Sequence, residues 1–122
     1  MNQKTNKIIG WVLAGLVAFA LVGSGMVKLS GGAQAAEMAK GLGGAGHVML
    51  LGILELVIAL IWLIPRTGIV GTLLAAAYMG GAIAVHFIGN QPILIPVVIQ
   101  ILIWIAAAVR FPELTKRLLN KI

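Results

Sequence analysis

The chain has 122 residues, of which 61% are hydrophobic and only 10% charged, with a net charge of +6 and no cysteine. A water-soluble domain of this size cannot bury so much apolar surface, so the class is integral membrane. The lack of cysteine excludes structural disulfides, thiol–disulfide relays, iron–sulfur clusters and thioether-attached haem.

Residues 1–7 are polar and basic, and an apolar run follows to about Met26, with Lys28 at its far end. About 20 helical residues cross a ~30 Å hydrocarbon core, so residues 8–28 form a first predicted span. A basic start, an apolar run and Ala33-Gln34-Ala35 also imitate a signal peptide. The apolar run is long for one and Lys28 precedes the cleavage-like site, so the segment is read as retained. Residues 29–46 are glycine-rich around the run AQAAEMAK, which suits either a short surface helix with glycine hinges or a plain loop. The second predicted span is 46–64, closed by Pro65-Arg66-Thr67-Gly68. The third is 68–88, closed by Gly89-Asn90-Gln91-Pro92. The fourth is 92–109, with Pro92 in its first turn and Pro96 causing a mild kink at most. The tail 110–122 is basic and weakly amphipathic and is placed on the membrane surface. No linker divides the chain, so 1–122 is read as one domain.

The predicted fold is therefore an all-α, multi-pass four-helix bundle. Lys4, Lys7, Arg66, Arg110, Lys116, Arg117 and Lys121 fall on one side of it, and Lys28 and Lys40 on the other. The positive-inside rule then places both termini in the cytoplasm. The basic charge is explained by orientation, and no nucleic-acid partner is expected. Small residues recur every four positions (Gly10, Ala14, Ala18; Thr72, Ala76, Gly80, Ala84), a pattern that lets helix backbones approach closely. Trp11, Trp62 and Trp104 suit an inner aromatic belt.

Polar residues inside the spans are the candidate functional groups, because an ionisable side chain in an apolar span needs a partner. Glu55 lies nine residues after Gly46, ~13 Å from the outer end at helical rise. Gln100, eight residues after Pro92, is ~12 Å deep by the same rise. Lys28 and His86 lie near the outer ends of their spans. All four sit in the outer half, one per helix, which suggests a shared polar pocket open to the outer side. Ser24, one turn before Lys28, can hydrogen-bond into it. Lys28 either pairs with Glu55 or snorkels to the headgroups. Glu55 otherwise makes a structural hydrogen bond, Gln100 serves as interhelical glue, and His86 is an interfacial histidine. Only His47 could join His86 on a metal, so no metal site is read. No hydrolytic triad or phosphate loop is present, and VGSGMV lacks the spacing of a nucleotide-binding loop. No catalytic residue is assigned.

The run VGSGMVKL from Val22 to Leu29, the glutamate in LGILEL from Leu51 to Leu56, His86 closing the third span, and VRFP from Val109 to Pro112 occur in an order that resembles the DoxX-like family. The resemblance covers nearly the whole chain. It implies a small four-span protein of the bacterial inner membrane, loosely tied to quinone-coupled redox chemistry and membrane oxidoreductase assemblies, with Lys28 and Glu55 as the polar pair and His86 beside them. The leading expectation is an auxiliary redox-associated subunit that holds a quinone-like or other small amphiphile through Lys28, Glu55, His86, Gln100 and Ser24. Its partners would be the lipid bilayer and either a membrane oxidoreductase or further copies of itself. The alternatives are a ligand-free scaffold and a small transporter or channel subunit; against the latter, the inner half of every span lacks polar residues apart from Thr72 and Tyr78. With no cysteine, the chain cannot itself carry a thiol relay.

Overall fold

The computed structural model describes residues 3–120, and among them every regular element is helical. Helix α1 runs Gln3–Leu29, α2 Ala33–Leu42, α3 Ala45–Leu63, α4 Gly68–Ile88, α5 Leu94–Arg110 and α6 Pro112–Leu118, with a 3-10 turn at Pro65–Thr67 between α3 and α4. Three stretches, Gln3–Leu29, Ala45–Leu63 and Pro65–Ile88, are long and apolar enough to cross a membrane. The 17 residues of α5 rise only ~25 Å; α5 counts as a further span when taken with α6, from which it is bent by 108°. The large apolar side chains left exposed, such as Phe19, Leu50, Leu60 and Ile95, lie along these helices, where lipid rather than water is the compatible solvent.

Helix α1 packs against α3 and α5, and α4 packs against the same two. The four long helices thus form a closed ring. At its centre Val17, Leu21, Ile58, Trp62, Ala75, Ile103 and Ala106 are buried. Between helices in lipid there is little hydrophobic driving force, so close backbone packing and hydrogen bonds hold the ring together. Trp62 is fully buried, and its Nε1 donates to the Ala14 carbonyl of α1 at 3.0 Å. Gly10, Ala14 and Ala18 are buried against neighbouring helices of the same chain. On α4 only Thr72 of the small-residue stripe is buried, while Gly80 and Ala84 are exposed.

Two glycine contacts set the helix spacing. A Cβ on Gly25 of α1 would lie 3.0 Å from the Gly52 carbonyl oxygen, and one on Gly52 would lie 3.0 Å from that of Gly25. A Cβ on Gly71 of α4 would sit 2.5 Å from the Trp62 Cα of α3. Backbones therefore meet directly at both crossings.

One helix start differs from the sequence expectation, and two further segments contain short helices. The stretch open between surface helix and loop contains helix α2, stopped by Gly43 at φ 92° and Gly44 at φ 119°, values that glycine adopts readily. Pro92 lies outside α5, which starts at Leu94; Pro96 instead occupies the first turn. There it forfeits no intrahelical hydrogen bond and its ring meets no helical carbonyl behind it. The tail contains the short helix α6, bent away from the axis of α5 by 108°.

Gly25→Ala is expected to lower stability by about 1–3 kcal/mol through overpacking. Gly23→Ala, with nothing within 4 Å of the added methyl, is expected to be neutral or mildly stabilising. Thermal unfolding in detergent micelles compares the two; equal midpoints would show that the α1–α3 crossing does not depend on glycine.

Candidate functional site

The Gly25–Gly52 contact brings the last turn of α1 beside the middle of α3. The stem of Lys28 lies against Gly52, where an added Cβ would meet the Lys28 Cβ at 3.0 Å. From this position the lysine turns inward. Its Nζ forms an ion pair with Glu55 Oε1 and donates to Ser24 Oγ at 2.6 Å. Ser24 Oγ in turn donates to Glu55 Oε1 at 3.1 Å. The three side chains close a hydrogen-bonded triangle, with Glu55 only 2% exposed and Lys28 9%. Ser24 and Lys28 meet because four residues on a helix span about one turn.

The phenol of Tyr78 on α4 faces the same carboxylate. Glu55 and Tyr78 are equidistant in sequence from the turn that joins α3 to α4, so antiparallel pairing places them at one depth. That symmetry was available from the sequence. The expectation instead grouped Tyr78 with the inner half of the bundle.

The other two candidates make different bonds. His86 Nδ1 is 2.7 Å from the Ala82 carbonyl of its own helix, which leaves it tied to α4 rather than to Lys28 or Glu55. Gln100 Nε2 donates to the Ala76 carbonyl at 3.0 Å, joining α5 to α4, while its Oε1 is buried with no partner among the described residues. The polar groups thus divide into a triangle between α1 and α3, a local bond on α4, and an α4–α5 link. No group of three or more histidine, cysteine or acidic side chains that could hold a metal occurs among the described residues.

A cavity of about 160 Å³ adjoins the triangle. It is lined by Lys28 and Leu29 of α1, Ala35 and Ala36 of α2, and Ala45, Val48 and Met49 of α3. Its wall is apolar except for Lys28. A lysine ammonium has three N–H donors. Two are used by Glu55 and Ser24, and the third has no acceptor among the described residues.

A family model described as the DoxX-like family matches residues 12–109. The chain belongs to the DoxX-like family. The matched segment contains Ser24, Lys28, Glu55, Tyr78, His86 and Gln100, all of α3 and α4, nearly all of α5 and about two-thirds of α1, and the chain is accordingly a multi-pass membrane protein. No curated protein and no solved structure gives a significant match.

A buried ion pair leaves a charge stranded when one partner is removed, at a cost of about 3–5 kcal/mol. Lys28→Met and Glu55→Leu are each expected to destabilise the protein on that order, and the double variant is expected to recover much of the loss. Unfolding of all four forms in mixed micelles measures the coupling. Single effects that add to within about 0.5 kcal/mol would show the pair to be uncoupled.

Proposed function

We propose that this DoxX-like protein is an auxiliary, redox-associated subunit of the bacterial inner membrane. It holds the ring of a quinone-like amphiphile against Lys28. The observation that carries this reading is the apolar cavity with Lys28 as the one charged residue in its wall. A volume of about 160 Å³ is close to that of a cavity that admits benzene, ~150 Å³. It suits one six-membered ring, not a ring with its tail. Such a head group offers carbonyl oxygens, and the spare Lys28 donor matches them. Glu55 and Ser24 do not line the cavity, and their part is to hold the ammonium in place. The prenyl tail would run along the lipid-facing helices. In this reading the chain crosses the bilayer four times with both termini cytoplasmic, and the Lys28 end faces outward.

A second reading is favoured by the burial of the triangle. With Glu55 2% exposed, the pair can serve only to fix the register of α1 on α3, as a scaffold without a ligand. Calorimetric titration of the detergent-solubilised protein with a short-chain benzoquinone separates the two. A charge-assisted hydrogen bond contributes about 1.5–3 kcal/mol, so Lys28→Met is expected to weaken binding by about tenfold to a hundredfold. Ala36→Leu, which fills the cavity without touching the triangle, is expected to abolish binding while leaving the unfolding midpoint near wild type. Saturable binding that survives both substitutions would remove Lys28 from the site. An absence of binding by the wild type would leave the scaffold reading.

A further inference from the structure

The opposite end of the ring holds a second feature, independent of the Lys28 cavity. A cleft of about 590 Å³ opens between the start of α1, the α3–α4 turn and the α5–α6 bend; its walls include Asn6, Lys7, Trp11, Pro65, Arg110 and Phe111. That volume is within the ~300–1,000 Å³ range of small-molecule sites. No carboxylate lines it. The Arg110 guanidinium sits over the rings of Trp11, Trp62 and Phe111 at 5.2, 4.9 and 4.7 Å. One of its terminal nitrogens donates to the Trp62 carbonyl at 3.0 Å. The other, NH1, is buried and has no hydrogen-bond partner among the described residues.

Charge balance makes this end unlike the rest of the molecule. The chain has three acidic residues. Glu55 and Glu37 are paired with Lys28 and Lys40, both away from this cleft. Glu113 on α6 forms no ion pair among the described residues, and neither Lys7 nor Arg110 has a carboxylate partner there. Arg66, Lys116 and Arg117 add further positive charge nearby in the fold. The aromatic cage and one carbonyl orient the guanidinium without neutralising it. The cleft that Arg110 and Lys7 line therefore carries uncompensated positive charge, which attracts an anionic group. On α1, Ile8 and Val12 flank Trp11 and are exposed, and in α6 Leu118 is exposed beside the basic residues. A site with cations at its base, aromatic walls and apolar approaches at the end of the spans matches an amphiphile with a phosphate head.

We infer that this cleft binds the phosphate of an anionic phospholipid, held by Arg110 and Lys7 with its acyl chains against α1. The lining residues on α1 fall outside the segment matched by the family model, while Arg110, Phe111 and Pro112 belong to the VRFP run.

The test is native mass spectrometry and thermal shift of the full chain in nanodiscs. Phosphatidylglycerol mixed into phosphatidylcholine is expected to be retained at least tenfold over phosphatidylcholine, and to raise the unfolding midpoint. Lys7→Gln, at a surface position, and Arg110→Gln are each expected to cut that preference to threefold or less. The control Lys116→Gln/Arg117→Gln removes twice the charge of either single variant outside the cleft and is expected to keep the preference. Equal retention of both lipids by wild type, a preference untouched by Lys7→Gln, or an equal loss in the control would overturn the inference. If inorganic phosphate in phosphatidylcholine nanodiscs gives the same stabilisation and displaces phosphatidylglycerol, the ligand is a soluble phosphate and the lipid assignment fails.

Discussion

Direct backbone contact between Gly25 and Gly52 is the constraint on which the candidate site depends. With no side chain on either residue, α1 and α3 approach until a Cβ on either glycine would lie 3.0 Å from the other's carbonyl oxygen. That distance lets Lys28 reach Glu55 across the crossing, and lets Ser24 bridge them. A wider crossing would leave the carboxylate alone in the apolar interior, and the lysine would extend toward the headgroups instead. The chemistry of the site is thus set by two residues that carry no functional group. The same logic holds at the other crossing, where Gly71 lies against the backbone of Trp62 and allows that indole to reach Ala14.

The two ends of the ring handle charge in opposite ways. Near α2 the ammonium and carboxylate satisfy one another and share a hydroxyl, so a buried charge is compensated within the protein. Near α6 the guanidinium is caged by aromatic rings and a carbonyl, neither of which carries a full negative charge. The first arrangement meets the rule that buried polar groups need partners. In the second, one guanidinium nitrogen is buried without a hydrogen-bond partner among the described residues.

Much of the architecture was legible in the sequence because apolar run length and the turn residues Pro65–Gly68 and Gly89–Pro92 are local signals. The helices α1, α3 and α4 begin or end within a few residues of those signals. Lys28 and Glu55 were legible as a possible pair, since each is an isolated charge in an apolar run. Which way Lys28 turned was not, because that depends on the glycine crossing, a contact between residues 27 positions apart. Tyr78 was misjudged by measuring depth from segment ends rather than by pairing positions across the turn. His86 shared an approximate depth with Lys28, but depth says nothing of the azimuth of a side chain around its helix, and its bond to Ala82 is local. Arg110 was read as a topological charge and as part of the VRFP run. Its aromatic cage is drawn from three elements, and no local pattern announces it.

The buried pair also bears on how the chain enters the bilayer. On translocon scales an acidic residue at the centre of a span costs about 2.5–3.5 kcal/mol. Helix α3 carries that residue, and its counter-charge lies on α1, synthesised earlier and separated from it only by the short α2. As α3 leaves the translocon, α1 is therefore already in place to receive the carboxylate. The first helix acts as an intramolecular chaperone for the second long one, and the order of the two along the chain becomes part of what makes the acid tolerable.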